Sequence, residues 1–440
     1  MKLGLQAVVP FAVWFCPASR SRRWLIAALV YAVCTVVYFS CASRQIIAEH
    51  TPYNHYALLA DAWLHGRLDL GHPPPAYTQN NDFAEYQGRW YISFPPFPAV
   101  LLLPIVKLAG SPENVRDGQV WLWIAGVGPA FLFLGLEKLS RMRESSLGDL
   151  SNALLALIFA FGTVYFFTAE QGTVWFAALV VAVAASAIYL LCALEAERPW
   201  IAGAMIGVML VSRPHMIASG LLFVCELVRT TRTGKYALDW SRAGRKLTAF
   251  LIPIAIVVAL TIWHNWARFG SLDFGHEHLT VGWRARIDKW GLISYHYLAR
   301  NLGIVTSSLP YVNHRPFGVQ INTHGLALWV TTPLYLWLLW PRRAGYLWRV
   351  LLISIAPIVL FDLLYQNSGW LQFGYRFSND FAVFLFAMLA IGGYRMGRLF
   401  YTAAAASVLV NAFGALTFQR SGFERFYFTD NSQTIIYQPD

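Results

Sequence analysis

Long, uninterrupted apolar runs are the feature that most constrains the fold of this chain. They recur at roughly the 20-residue length that a helix needs to cross a bilayer. Hydrophobic residues make up 57% of the chain and charged residues only 13%, so a soluble core could not hide the apolar surface. A backbone in lipid must satisfy its own hydrogen bonds, which a helix does within one segment. The sequence therefore predicts an all-α protein, a polytopic bundle of transmembrane helices.

The runs can be assigned to individual spans. Nine intervals are predicted as single crossings: 24–42, 119–137, 151–168, 173–194, 248–263, 324–340, 350–365, 381–394 and 399–417. A tenth interval, 201–228, is apolar but interrupted at 212–215. We expect it to form two short spans or a hairpin of half-helices, and in both cases the chain returns to the side it left. Counted as a pair, it brings the prediction to about 11 spans in one membrane domain over residues 1–440.

Basic residues predict the orientation. The predicted inner segments are 1–23, 138–150, 195–200, 229–247, 341–349 and 394–398. They hold 19 Lys and Arg in 75 residues, against 15 in the 182 residues of the outer segments. Because basic loops stay in the cytoplasm, the N-terminus is predicted to be cytoplasmic and the C-terminus extracytoplasmic. The same pattern explains the net charge of +11 without a nucleic-acid partner, and we expect none.

Two large outer loops, 43–118 and 264–323, and an outer tail, 418–440, carry most of the polar residues. Within the first loop, 95–110 is apolar but rich in proline, and we expect a juxtamembrane helix there that covers a cavity. Residues 3–17 are expected to form an interfacial segment rather than a cleaved signal peptide.

The first outer loop supplies three candidate carboxylates: Asp61, Asp82 and Glu85. A carboxylate near a membrane-embedded cavity can act as a general base toward a hydroxyl, and partial desolvation favours this role. A structural alternative is that Asp82 caps a helix and that Asp61 pairs with Arg67.

Other polar residues interrupt the apolar runs nearby. Arg213 and His215 lie in the break of 201–228, where a cation and an exposed helix end suit phosphate oxygens; anchoring at the headgroups is the alternative. The hairpin at 365–381 contains Arg376 and Asp380, which could also form a structural pair. Asp362 just before it and Glu170 at the tip of another hairpin are further candidates.

A metal site is a weaker possibility in the second loop. His276 and His278 could bind a metal together with His264 or a carboxylate, although a polar loop rim is the preferred explanation. Sequence motifs for a nucleotide-driven pump or a serine hydrolase are absent where they could work.

The order of several short pieces resembles a known family. They are HYALLADAWLHGRL, DFAEYQGRWYISFPPFPAVLLLP, AEQGTVWFAAL, SRPH, HNWARFGSLDFG, NTHGLALWVTTP and QNSGWLQFGYRFSNDF. Together they resemble the glycosyltransferase-C (GT-C) superfamily of membrane enzymes, in particular the bacterial branch related to protein O-mannosyltransferases and aminoarabinose lipid A transferases.

The resemblance implies transfer of a sugar from a polyprenyl-phosphate carrier to a hydroxyl of a glycan, lipid or protein, on the outer side of the membrane. Many relatives carry an acidic pair after the first span, where this chain has Tyr53-Asn54-His55-Tyr56. Asp82 is therefore the first choice for the base, followed by Asp61 and Glu85, with His55 as an orienting residue.

Arg213, His215 and Arg376 would meet the phosphate of the lipid carrier, with Glu170 facing the same compartment. No cofactor is required, and a divalent metal is optional. Two other classes remain open: a transporter or lipid flippase, which also uses broken helices, and a non-catalytic protein of envelope assembly.

Overall fold

The computed structural model describes residues 19–234, 237–280, 284–314 and 317–429. The described residues are mostly helical. The predicted interfacial segment 3–17 and residues 430–440 of the predicted tail lie outside them.

The α-helices of the first half are α1 (Arg20–Cys41), α2 (Arg44–Ala48), α3 (His55–Leu64), α4 (Phe97–Ala109), α5 (Asp117–Ala125), α6 (Val127–Arg141), α7 (Asp149–Phe161), α8 (Tyr165–Glu170) and α9 (Val174–Ala193). Those of the second half are α10 (Pro199–Leu210), α11 (Gly220–Thr231), α12 (Trp240–Phe269), α13 (Arg284–Trp290), α14 (Leu298–Ser307), α15 (Leu328–Thr331), α16 (Tyr346–Leu364), α17 (Asn379–Ile391) and α18 (Arg398–Thr417).

Six helical stretches of the described chain are long and apolar enough to cross a membrane: Arg20–Cys41, Asp117–Arg141, Val174–Ala196, Trp240–Phe269, Tyr346–Leu364 and Arg398–Thr417. They confirm the membrane-helix character predicted from the apolar runs. These six helices do not establish the predicted total of about 11 spans.

Several apolar helices are shorter than a bilayer is thick. Helices α7, α10 and α17 have 13, 12 and 13 residues, which corresponds to lengths of about 18–20 Å against a hydrocarbon core of about 30 Å. The predicted span 151–168 is thus split, since α7 ends before Gly162 and the chain resumes as α8. The space beyond the ends of these helices is where the polar residues gather.

The predicted inner segments meet one another at one end of the bundle. Lys138 Nζ lies 2.5 Å from Glu197 Oε2, and Arg22 Nη2 lies 3.1 Å from Asp149 Oδ2. The backbone N–H of Arg342 donates to the Gly392 carbonyl at 3.0 Å. We call this the basic end. The long helices connect it to the other end, where the predicted outer segments converge, which we call the site end.

The interrupted interval 201–228 returns to the end from which it started. Helix α10 leads away from the basic end, a 3-10 helix at Pro214–Ser219 forms the turn, and α11 leads back. The side chain of Glu226 on α11 accepts a hydrogen bond of 2.7 Å from the backbone N–H of Glu195, just before α10. The chain thus turns back within this interval.

The predicted span 324–340 is not one helix. It consists of α15 followed by a 3-10 helix at Pro333–Leu339. Pro333 has no backbone donor and disfavours the α conformation of the residue before it, and Thr332 accordingly adopts φ −137° and ψ 76°. A proline inside the apolar run therefore breaks the helix that hydrophobicity alone predicts.

Five short strands in the described part of the chain correct the all-α prediction. In the first loop, β1 (Phe83–Tyr86) pairs antiparallel with β2 (Arg89–Ile92). The connecting residues Gln87 and Gly88 have φ of 52° and 74°, as a two-residue type I′ hairpin turn requires. In the second sheet, β3 (Tyr311–His314) pairs antiparallel with β4 (Phe317–Asn322), and β5 (Tyr427–Phe428) is parallel to β4.

Helix α4 occupies most of the predicted juxtamembrane segment 95–110. The N–H of Phe97 at its start donates to the Val211 carbonyl at 2.9 Å. Just after its end, the Pro112 carbonyl accepts a hydrogen bond of 3.4 Å from Asn54. Both ends of α4 thus contact segments of the site end, so the helix does not run toward the basic end.

Candidate functional site

Two cavities open at the site end and share part of their walls. The first has a volume of about 260 Å³ and the second about 220 Å³. The residues common to both are Asp82, Trp175, Asn367 and Arg376. Further residues of the first cavity include Ser43, Gln45, Glu170, Phe176, Phe418 and Arg420. Further residues of the second include Phe94, Arg213, His215, Asp362, Tyr365 and Phe377.

Asp82 is held at the junction of the two cavities. It precedes β1 and adopts a left-handed φ of 60°, which aspartate tolerates better than most residues. Its Oδ2 accepts a hydrogen bond of 2.8 Å from Trp175 Nε1, and its backbone carbonyl accepts one of 2.9 Å from Ser93. The carboxylate is only partly buried, so it is both oriented and accessible from the cavities.

Arg376 is a buried cation at the same junction. The residue is only 5% exposed. Its Nε has no hydrogen-bond partner, and within the described ranges it forms no ion pair. The guanidinium carbon lies 5.0 Å from the centre of the Phe176 ring. Burial, and then the nearby charge of Arg213, lower the pKa of Arg376 to about 9. A buried guanidinium that forms no ion pair favours the binding of an anion beside it.

The cation Arg213, by contrast, is fully engaged. Its Nε donates to both carboxylate oxygens of Asp380, at 3.0 and 2.9 Å. His215 Nε2 lies 2.9 Å from Asp380 Oδ2 and 3.2 Å from Asp362 Oδ1. Burial alone would lower the pKa of both Arg213 and His215, but the adjacent carboxylates outweigh it and raise both. We call these four residues the buried ion cluster; all of them except Asp380 line the second cavity.

Three sequence-based alternatives are wrong in this structure. Asp380 pairs with Arg213 rather than with Arg376. Asp61 lies 3.5 Å from His65 one turn along α3 instead of pairing with Arg67. Asp82 leads into strand β1, so it is not a helix cap.

The other two candidate bases are separated from the cavities. Asp61 lies on α3, and Glu85 is exposed on β1, where it faces Trp90 of β2 across the hairpin. Neither residue lines the first or the second cavity. Of the three carboxylates, only Asp82 is in a position to meet a molecule bound there.

His55 packs against the residues on either side of Asp82. Its ring is fully buried, stacks on Phe83 at 4.4 Å, and places Nε2 2.8 Å from the Asn81 carbonyl. Burial lowers the pKa of His55, so the ring is neutral and its Nε2–H donates to that carbonyl. His55 lines neither cavity, and its contacts fit an orienting role rather than phosphate binding.

Glu170 lines the first cavity but is paired. Its Oε2 accepts a hydrogen bond of 3.2 Å from Arg420 Nη2, while Oε1 has no partner. Burial raises the pKa of Glu170, and Arg420 opposes this effect. Arg420 also donates to the Cys41 carbonyl at 2.6 Å, so this pair joins the end of α1 to the segment after α18.

The three histidines proposed as metal ligands do not converge. His264 packs edge-on against Trp63 at 5.6 Å, and His278 packs against Tyr86 at 4.5 Å. His276 lies 3.9 Å from Asp273. His276 helps to lower the pKa of Asp273 to about 2 although burial alone would raise it.

Another trio has the spacing of metal ligands. Within the described ranges, the potential ligand atoms of His215, Asp362 and Asp380 all lie within 4.8 Å of one another. However, Arg213 and His215 already bind the Asp380 carboxylate, and an added cation would have to displace or face the guanidinium. The arrangement is therefore better described as an ion-pair cluster than as a metal site.

Sequence reasoning missed Trp175, Asn367 and Arg420. Trp175 stands in the AEQGTVW piece, and its position beside Glu170 was a usable signal. Arg420 reaches Glu170 across 250 positions of the chain, a contact for which the sequence offers no signal.

No protein-family model, curated protein or solved structure matches this chain. The resemblance to the GT-C superfamily therefore stays a hypothesis, and a function has to be argued from the site itself.

Proposed function

We propose that this protein is a membrane glycosyltransferase that moves a sugar from a polyprenyl-phosphate carrier to a hydroxyl of a glycan, lipid or protein acceptor. In this proposal the reaction takes place on the extracytoplasmic side of a bacterial inner membrane, in a bundle of about 11 spans. The observation that carries it is that Asp82 and the unpaired Arg376 both line the two adjoining cavities.

The carboxylate and the guanidinium suit the two halves of such a transfer. Asp82 would take the proton of the acceptor hydroxyl as its oxygen attacks the anomeric carbon of the sugar. The bond between that carbon and the phosphate oxygen breaks, and the lipid phosphate leaves with the electron pair. Arg376 would stabilise the charge that develops on this phosphate in a site largely shielded from water.

The short length of two helices is an argument for a substrate that is anchored in lipid. Helices α10 and α17 end or begin next to Arg213 and Asp380, and each is about 10 Å shorter than the hydrocarbon core is thick. The polar residues therefore gather at one end of the bundle. A transporter or lipid flippase is the alternative, since it too uses broken helices with polar residues inside the membrane.

The test uses a deletion strain complemented with the wild type, Asp82→Asn, Asp61→Asn or Glu85→Gln. Mass spectrometry then measures both lipid-linked sugars and envelope glycans. We expect Asp82→Asn to accumulate the lipid-linked donor and to lose transfer by at least about 100-fold, while the other two variants stay near wild type.

Two results would contradict the proposal. Full transfer by a correctly inserted Asp82→Asn protein would remove the base. Uptake of a solute into proteoliposomes that contain no lipid-linked sugar would favour the transporter class instead.

A further inference from the structure

A third cavity, lined mainly by cationic residues, lies at the basic end, opposite the candidate site. It has a volume of about 210 Å³. Its five cationic residues are Arg20, Arg23, Lys138, Arg141 and Arg198. They come from α1, from α6 and from the turn before α10, so the fold assembles this cavity from three separate parts of the chain.

The carboxylates of this region leave the cavity strongly positive. Glu197 is the one acid in its lining, and it lies 2.5 Å from Lys138 and 3.8 Å from Arg198. Asp149 nearby is paired with Arg22 at 3.1 Å. Residues 1–18 contain no Asp or Glu, so the chain before α1 brings no further negative charge. Five cations and one carboxylate thus line the space, and the buried Glu137, which accepts a hydrogen bond from Asn152, lies close to Arg23 and Arg141 outside this lining.

The floor of the cavity is rigidly built. Lys138 is 2% exposed, and its Nζ donates to the carbonyl oxygens of Leu191 and Leu194 at 3.2 and 2.7 Å in addition to Glu197. Arg20 and Arg141 at the rim are exposed. The buried lysine ties α6 to the end of α9 and to the turn before α10, while the rim arginines can reach a ligand.

Apolar surface adjoins these cations on the outside of α1. Trp24 lines the cavity and is 43% exposed, and the next residue, Leu25, is 48% exposed. Trp is favoured at the boundary between headgroups and acyl chains. A cationic pocket beside an exposed apolar strip matches a ligand that has a phosphate and hydrocarbon chains.

We propose that this cavity binds the phosphodiester headgroup of an anionic phospholipid, with the acyl chains along Trp24 and Leu25. Basic pockets between membrane helices bind such headgroups through several Lys and Arg at once. A free phosphate shares the charge but not the chains, so the two sources can be told apart. This inference does not depend on the proposed transferase activity.

The experiment uses the full chain in phosphatidylcholine nanodiscs, to which phosphatidylglycerol is added. Native mass spectrometry counts bound lipid and thermal unfolding reports affinity. We expect one retained phosphatidylglycerol for the wild type, and an affinity reduced by roughly thirty-fold in Arg20→Gln/Arg141→Gln. The control Arg242→Gln/Arg349→Gln removes the same charge from exposed residues of the predicted inner segments that do not line the cavity, and it should bind like the wild type.

Three results would overturn the proposal. Equal losses in both double variants would show diffuse attraction to the basic end. Equal binding of phosphatidylcholine would show that the charge is irrelevant. Stabilisation by glycerol 3-phosphate to the same extent as by the lipid would assign the cavity to a soluble phosphate.

Discussion

The indole of Trp175 donates a hydrogen bond of 2.8 Å to the carboxylate of Asp82, across 93 positions of the chain. This contact joins the start of α9 to the first loop and fixes one oxygen of the candidate base. The other oxygen is left to face the cavities. Asp82 is therefore oriented by a residue on one of the most buried helices of the bundle.

Trp175→Phe should slow sugar transfer without abolishing it. A hydrogen bond to a charged group contributes about 1.5–3 kcal/mol, so we expect kcat to fall roughly ten- to hundred-fold with little change in the KM for the donor. The comparison Trp263→Phe changes an exposed residue of α12 and should have no effect. An unchanged kcat in Trp175→Phe would remove the orienting role.

Arg376→Met should make the ligand-free protein more stable and insensitive to anions. The substitution removes a buried charge that has no ion pair in the described chain, so we expect a gain of about 1–3 kcal/mol in the free energy of unfolding. Thermal unfolding with and without phosphate measures both effects. Arg425→Met, which changes an exposed cation, serves as control. Equal stabilisation of the wild type and Arg376→Met by phosphate would contradict an anion site at Arg376.

The buried charge of Arg376 predicts that the stability of the protein depends on pH in the alkaline range. The lowered pKa of Arg376, about 9, means that the fold disfavours its charged form. The resulting destabilisation is complete below that pKa and is relieved as the pH rises through it. The stability difference between Arg376→Met and the wild type should therefore shrink above about pH 9. A difference that stays constant from pH 7 to 10 would contradict the assignment.

His215 should make stability depend on pH in the opposite sense. The carboxylates of Asp362 and Asp380 raise its pKa, so its contribution is fully present below the ordinary value of about 6.5 and is lost as the pH rises through the raised one. We expect the melting temperature of the wild type to fall between pH 6 and 9, and the slope to flatten in His215→Gln. His72→Gln, at an exposed site, should keep the slope of the wild type.

Arg420 and Glu170 should be coupled. Arg420→Leu leaves a buried carboxylate unpaired, and we expect a loss of about 2–4 kcal/mol. Glu170→Gln/Arg420→Leu should be less destabilised than the sum of the single changes by at least about 1 kcal/mol, measured by thermal unfolding. Additive effects would show that the observed pair contributes nothing.

The sequence was sufficient to predict where the polar residues gather but not how they pair. Apolar length located most of the helices, and the polar break at 212–215 located the turn that carries Arg213 and His215. Sequence spacing could not decide between Arg213 and Arg376 as the partner of Asp380, because Arg213 in the turn after α10 and Asp380 at the start of α17 are 167 positions apart and meet only in the folded chain.

The same limit applies to the choice among Asp61, Asp82 and Glu85. Their neighbourhoods are similarly polar in sequence, and the difference between them comes from the hairpin β1–β2. The hairpin points Glu85 outward, while the left-handed backbone of Asp82 leaves that residue beside Trp175. Hydrophobic patterning predicts helices well, but it says little about a two-residue turn.

Helices α7, α10 and α17 stop well short of a full crossing, and this has a consequence for how a reactant would arrive. In the bundle that we propose, these helices leave about a third of the membrane thickness open above them, and Arg376 would then sit below the water boundary, at the depth of the phosphate ester of a long-chain alcohol. Such a molecule could approach sideways, by diffusion in two dimensions, without lifting its tail out of the lipid.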